Sequence, residues 1–231
     1  MMPINFFMDF DLSQKGAVEE LFWSAQVNGC CFHLFLNILQ EIANSGLIKL
    51  FGINEQYHHC RLLTALSMVP EAVVVTAFEA LVKWGGVSKE FDPILSWFEF
   101  NYIGILDTQT RGCSRKSPRI PIDFWNIHSV IVEDIPRCNT SMYYWNKSFR
   151  SALRRTNPTL ENHINMIQKE ERIHYKDMKM VHEDELYRPK SKKRRCDDLV
   201  EKMAKGIDSY NGGFVLYLLH AAKLVIGIKN D

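Results

Sequence analysis

Two short stretches decide the fold expected for this chain: residues 4–9 (INFFMD) and residues 29–33 (GCCFH). The first is an apolar run that ends at Asp9, which is typical of a buried strand with a carboxylate where the chain leaves the sheet. Ser13 can cap a helix after it, and Val27–Phe32 has the pattern of a second strand. Because a stable sheet usually needs about three or more strands, we expect either an almost wholly helical fold or the remainder of a larger sheet.

The rest of the chain has the spacing of helices. Apolar residues from Leu34 to Ile42 recur on one helical face and stop at residues 44–46 (NSG). Ile94–Ile105 is dense in aromatic residues and is predicted to be buried. Further helices are predicted in the segments 62–68, 74–81, 143–153, 160–174 and 214–224. A loop is predicted at 108–121, and a basic, solvated linker at 187–195 (YRPKSKKRR).

Composition excludes several classes of protein. Hydrophobic residues make up 46% and charged residues 24% of 231 residues, as in an ordinary globular domain. The net charge of +1 gives no whole-molecule field for nucleic acid, so such a surface must be a local patch. Six cysteines, of which two are adjacent and four are scattered, fit a reducing compartment better than a disulfide framework. The apolar run 214–228 is too short for a membrane span of roughly 20 residues, and we expect no membrane partner.

Asp9 and Asp11 flank Phe10 at the end of the first predicted strand. Carboxylates in such a place can hold Mg²⁺, which prefers oxygen ligands. The plainer interpretation is an ordinary loop acid or a helix cap, and for these two residues alone it is favoured.

Cys30 and His33 lie close together in the second stretch, and both residue types bind Zn²⁺. A closed zinc site needs four ligands, and residues 58–60 (HHC) would supply the others only if the fold brought them near. The favoured alternative is a buried strand with small cysteine side chains and a hydrogen-bonded histidine.

Three basic patches are candidates for phosphate binding. Lys147, Arg150 and Arg154 share one face of a predicted helix, while Phe149 and Leu153 share another. The cluster 189–195 (PKSKKRR) has the pattern of a nuclear-localisation or nucleic-acid patch, carried by Lys192, Lys193, Arg194 and Arg195. The third patch is the loop with Arg111, Arg115, Lys116 and Arg119. The alternative for each patch is a solvated surface.

The order of several motifs resembles one known family. An Asp at a strand end is followed by Gly-Cys-x-Phe-His, and the later motifs are Leu66–Pro70, Trp97–Gly104, Pro118–Asn126, Pro136–Asn139, Trp145 with Phe149, and 157–159 (NPT). This set is similar to the Mutator-like (MULE) transposase domain over about Asp9 to Glu171. Residues 217–222 (YLLHAA) resemble the closing helix of the family.

The resemblance implies an RNase H-like core with a triad of two Asp and one Glu that holds two metal ions for phosphodiester cleavage. Asp9 matches the second Asp, and it would be the only metal ligand of the triad found here. The first Asp lies upstream in the family, before the start of this sequence. Tyr143 stands at the Glu position, and a phenol does not replace a carboxylate as a Mg²⁺ ligand at neutral pH. The pair Cys30 and His33 matches the family and implies a structural role.

We therefore expect a mainly α-helical chain with a truncated RNase H-like α/β core of two residual strands. The expected divisions are 1–33 (residual strands and helix), 34–135 (helical insertion), 136–180 (C-terminal catalytic-type helices) and 181–231 (basic linker and terminal helix). The expected function is that of a transposase-derived protein that has no cleavage activity and binds DNA. The expected location is the nucleus, or otherwise the cytoplasm. No cofactor is expected, except Mg²⁺ if activity remains. Alternatives are an active subunit that borrows its missing carboxylates in trans, a helical interaction module without a nucleic-acid role, and a decayed gene fragment without a selected function. Besides DNA, the expected partners are a second copy of this chain, as a homo-oligomer, or a full-length transposase.

Overall fold

The computed structural model describes residues 3–47, 53–107, 114–135, 140–153, 158–184, 191–207 and 213–224. The described chain is mainly helical and forms two compact units. The first unit comprises Met1–Cys138 with Arg195–Asp231, and the second is Asn139–Arg194. The predicted predominance of helix is confirmed.

The first unit begins with a β-α-β segment. Strand β1 (Asn5–Met8) and strand β2 (Gln26–Gly29) pair in parallel, with Phe6 opposite Val27, and helix α1 (Leu12–Leu21) connects them. The two predicted strands are confirmed, but the second ends sooner than expected, because residue 31 already begins a helix. A side chain on Gly29 would overlap the ring of Phe10, so the close packing beside β2 requires glycine.

Helices α2 (Cys31–Asn44), α3 (Ile53–Ala65), α4 (Val74–Lys83) and α5 (Asp92–Phe98) form the body of the first unit. Each buries an apolar face in one common core. In α2, Leu34, Ile38 and Ile42 have no exposed surface, as the helical spacing predicted. A short 3₁₀ turn, Leu66–Met68, follows α3 and is wholly buried.

Aromatic rings fill the centre of this core. The predicted burial of residues 94–105 is confirmed for Phe98 and Tyr102, but it is wrong for Phe100 and Ile105, which are 56% and 38% exposed. A single π turn, Glu99–Ile103, follows α5 and places Tyr102 against Phe98, with ring centroids 4.9 Å apart. Trp125 lies in the short helix α6 (Ile122–Trp125), has no exposed surface, and donates its indole N–H to the Tyr102 carbonyl at 3.1 Å. A short helix α7 (His128–Val132) follows.

The last helices close the first unit over the 3₁₀ turn. Helix α11 (Gly213–Leu224) buries Tyr217, whose hydroxyl donates to the Met68 carbonyl at 2.9 Å. The Asn126 side chain donates to the Val69 carbonyl at 2.8 Å. Three of the sequence motifs, around residues 66–70, 118–126 and 217–222, therefore meet as one hydrogen-bonded part of the core.

The second unit is a pair of antiparallel helices. Helix α8 (Thr140–Ala152) and helix α9 (Leu160–Asp184) pack through Phe149 on His163, with ring centroids 5.4 Å apart. The Trp145 indole donates to a carboxylate oxygen of Glu170 at 3.0 Å. Both predicted helices are present, and α9 continues beyond its predicted end at residue 174.

Helix α10 (Ser191–Lys205) differs from the prediction for this region. Residues 191–195 belong to its first turns, so the predicted basic linker is wrong there, while residues 187–190 lie outside the described part. Val200 and Ala204, near its C-terminal end, are buried in the core of the first unit. Within the described residues, none of the helices combines the length and the apolar character that crossing a membrane requires.

Candidate nucleic-acid interface and the Asp9 site

Asp9 lies directly after β1, where the sequence placed it, at the carboxyl end of a parallel strand pair. Its Oδ1 is 3.2 Å from Nδ1 of His33 in the first turn of α2. The Asp9 side chain is 60% exposed and that of His33 is 17% exposed. The structure thus brings together the two stretches that the sequence singled out, and the carboxylate faces an imidazole.

Asp11 has a different role from Asp9. Its Oδ1 accepts from the backbone N–H groups of Ser13 at 2.9 Å and Gln14 at 3.2 Å, so it is the N-cap of α1. The prediction that Ser13 caps this helix was wrong, because the helix begins at Leu12 and Ser13 already lies within its first turn. Asp11 follows the plainer interpretation of a helix cap.

The cysteines of the two Cys/His stretches are buried parts of the core. Cys30 is the N-cap residue of α2 and donates its backbone N–H to the Met8 carbonyl at 2.8 Å, which fixes the start of α2 to the end of β1. Cys31 Sγ lies 3.9 Å from the Ser67 hydroxyl. Burial raises the pKa of the Cys60 thiol to about 12, so it is protonated at neutral pH.

Of the two neighbouring histidines, His59 is buried against core groups and His58 is exposed. His59 stacks on Phe91 with ring centroids 4.7 Å apart, and its Nδ1 is 2.8 Å from the Glu55 carbonyl. Partial burial, aided by the adjacent charges of His59 and Arg61, lowers the pKa of His58. Nowhere in the described ranges do three or more His, Cys, Asp or Glu residues form a group that could hold a metal ion.

Helix α8 presents part of the first predicted basic patch. Lys147 and Arg150 are exposed, while Phe149 between them is 7% exposed and packs toward α9. Tyr143, which the resemblance aligns with the Glu of the triad, is half-buried on the same helix. Arg154 lies outside the described residues. The prediction that basic and apolar side chains occupy different faces therefore agrees with the exposures of the described residues.

The basic loop patch is not a free surface at its centre. Arg115 donates to Glu99 at 2.6 Å, to Glu79 at 2.9 Å and to the Gly104 carbonyl at 2.5 Å. Burial alone would lower the pKa of Arg115, but the hydrogen bonds to the two carboxylates outweigh it and raise that pKa. The interpretation of Arg115 as a phosphate contact was therefore wrong, because its charge is already neutralised within the fold.

The other basic residues of the predicted patches differ from Arg115. Lys116 and Arg119 are exposed, and Arg111 lies outside the described residues. The cluster that was predicted at 189–195 begins before α10 and continues into the first turns of that helix. The side chains of its four principal cations are outside the described part of the structure: Lys192, Lys193, Arg194 and Arg195.

A further set of basic side chains was missed by the sequence interpretation. Lys169, Arg172 and Lys176 are all exposed on α9, at spacings of three and four residues that place them on one helical face. The signal was present in the sequence, but Glu170 and Glu171 are interleaved with them and hide the pattern. Only the helical geometry separates the two signs of charge.

No family model matches this sequence, and comparisons with curated proteins and with solved structures found no match either.

Proposed function

We propose that this chain is a protein derived from a Mutator-like transposase that binds DNA and does not cleave it. The observation that carries the proposal is the position of Asp9. It stands at the carboxyl end of a strand in a β-α-β segment, next to the Cys30–His33 helix start, as the family resemblance implies.

The absence of cleavage is proposed from the residues at two positions. A two-metal mechanism needs several carboxylates a few ångströms apart to hold both ions. Tyr143 stands where the family has its Glu, and a phenol is neutral at neutral pH. Asp9 itself lies 3.2 Å from an imidazole nitrogen of His33, so this carboxylate already has a contact within the protein.

DNA binding is proposed for the outer face of α8. Lys147 and Arg150 are exposed there, and the buried Phe149 anchors the helix so that both cations are held on a fixed backbone. Phosphate contacts from such side chains release counterions, so the affinity for DNA falls with salt concentration. A chain with a net charge of only +1 needs such a local patch.

The binding test is a titration of labelled duplex DNA with the full chain at several salt concentrations. We expect measurable binding at low salt and weaker binding by the double variant Lys147→Gln/Arg150→Gln, with a salt slope smaller by about 0.9 for each phosphate that the variant no longer neutralises. The matched control is Lys83→Gln/Lys89→Gln, which removes the same charge from exposed positions in the first unit. Equal weakening by both variants would contradict a specific role for α8.

The cleavage test is a plasmid-nicking assay with Mg²⁺ or Mn²⁺, comparing the chain with Asp9→Asn. We expect the same background rate for both proteins. Robust nicking that disappears in Asp9→Asn would overturn the proposed lack of cleavage and would favour an active site completed in trans.

A second candidate function is a protein-interaction module, favoured by apolar side chains on α9. Leu160, Ile164 and Ile167 recur at spacings of four and three residues and are 77%, 45% and 49% exposed. Such a row of exposed apolar side chains is typical of a surface on which another helix docks. Absence of DNA binding at low salt would favour this second function over the first.

A further inference from the structure

One face of α9 carries a segregated positive charge. Lys169, Arg172 and Lys176 are exposed on this face, which we call the α9 stripe. Glu170 lies off the stripe, toward α8, where it accepts from the Trp145 indole. Helical spacing puts Glu171 on a different side from Lys169 and Arg172 as well. The acidic residues of this segment therefore do not neutralise the stripe.

The α9 stripe is unfavourable for the helix by itself. Like charges three and four residues apart repel and destabilise a helix, and no ion pair of the described side chains involves any of the three cations. Arg172 instead donates its Nε–H to the Gln168 carbonyl at 3.2 Å, one turn earlier in its own helix. An anionic partner would relieve this repulsion.

We infer that the α9 stripe binds the phosphate backbone of a nucleic acid, as a second contact separate from the α8 face. The inference deepens the proposed DNA-binding function and rests on it. From Lys169 to Lys176 the helix rises about 10.5 Å. One strand of duplex DNA carries a phosphate every 3.4 Å or so along the helix axis, so three cations match the charge of about three successive phosphates.

An anionic membrane is the competing partner for a basic helix, and the geometry of α9 disfavours it. A helix that lies in a membrane interface needs a broad apolar face that enters the lipid beside its cations. Among the described side chains, helical spacing places one exposed aliphatic residue, Ile173, between the three cations of the α9 stripe. Among the α9 side chains that the structure describes, the other exposed aliphatic ones are Leu160, Ile164 and Ile167, and they lie about 140° to 200° around the helix from Lys169. The stripe and this apolar face therefore cannot meet one flat surface together.

The test compares the full chain with the triple variant Lys169→Gln/Arg172→Gln/Lys176→Gln in the DNA titration. We expect weaker binding and a salt slope smaller by about 0.9 for each phosphate that the variant no longer neutralises. The matched control, Lys83→Gln/Lys89→Gln/Lys202→Gln, removes the same charge from exposed positions in the first unit and should bind much more like the unaltered chain. Combining the triple variant with Lys147→Gln/Arg150→Gln should weaken binding further than either set alone.

The outcomes separate this inference from the proposed function. If the triple variant binds like the unaltered chain while the α8 variant weakens binding, the α9 stripe does not bind DNA and the proposed function stands. If the unaltered chain does not bind DNA at low salt, both fail. Binding to phosphatidylserine vesicles that the triple variant abolishes, with DNA affinity unchanged, would overturn the inference in favour of a membrane. If the triple variant shows a weaker helical far-UV signal, the single variant Arg172→Gln is tested instead. A smaller salt slope for DNA binding supports the inference, and an unchanged slope overturns it.

Discussion

At the scale of single residues, the same residue types have opposite roles in different surroundings. Arg115 and Arg150 are both basic residues in predicted patches, but Arg115 is held by two carboxylates and Arg150 is exposed. Asp9 and Asp11 are two residues apart, yet one contacts His33 and the other caps α1. Burial and partners, rather than residue type, decide which charge is available to a ligand.

The buried thiol of Cys60 gives a prediction about alkaline pH. Its pKa is raised from 9 to about 12 by burial, so the folded state keeps a proton that the unfolded state loses. The free energy of unfolding therefore has its full contribution from this thiol below pH 9. That contribution decreases by roughly 4 kcal/mol in total as the pH rises from 9 toward 12. In Cys60→Ala this decline is absent.

The measurement is the free energy of unfolding by denaturant at neutral pH and within that alkaline window. We expect the stabilities of the unaltered chain and Cys60→Ala to converge as pH rises, because all other titrating groups are shared. Parallel curves across the window would contradict the assignment of a raised pKa to this thiol.

At the scale of elements, α1 differs from the other helices of the first unit. It has no buried residue, whereas α2 buries five. Helices in proteins are stabilised mostly by packing of an apolar face, and short isolated helices are marginal in water. The helix α1 therefore depends on its two neighbouring strands, on the crossover geometry and on the cap supplied by Asp11.

This dependence predicts the effect of Asp11→Ala. Loss of a side-chain N-cap typically costs about 1 kcal/mol, and we expect faster hydrogen exchange of the amides at the start of α1. Asp11→Asn is the matched control, since Asn is an equally good cap, and it should keep most of the protection. Equal loss of protection in both variants would show that the negative charge, and not the capping geometry, holds the helix.

At the scale of the whole molecule, the first unit is built around aromatic packing between segments far apart in sequence. Phe10, after β1, packs edge-on against Tyr102 and Phe124. Tyr102 in turn packs against Trp125 with ring centroids 6.0 Å apart. A sheet of two strands is too small to be stable alone, so this aromatic cluster supports the β-α-β segment in the described structure.

The aromatic cluster predicts a strong near-UV circular dichroism signal and a cooperative thermal transition, because Trp125 is fully buried in a fixed environment. Trp23 is 84% exposed, so Trp23→Phe should leave both the signal and the midpoint nearly unchanged. A helical far-UV signal without a near-UV signal would indicate a molten state and would contradict the fixed packing of these rings.

Local pattern in the sequence was sufficient for most of the fold. The spacing of apolar residues predicted α2, α4 and the C-terminal end of α3, and the run ending at Asp9 predicted the first strand. It did not predict α5 as a helix. The sequence did not predict that Val27–Phe32 would split between β2 and α2. Both states suit a short apolar run, and the choice is made by Cys30, whose N–H bonds to β1 and ends the strand ladder.

Residue types and helical spacing alone determined that this chain is mainly helical, that Asp9 ends a strand, and that α8 separates its cations from its apolar side chains. Only the tertiary structure decided that Arg115 is neutralised, that Asp9 meets His33, and that Tyr217 bonds to Met68. These contacts join residues 16 to 149 positions apart along the chain. Short-range periodicity carries no information about such pairs, because they form only when the core brings their elements together.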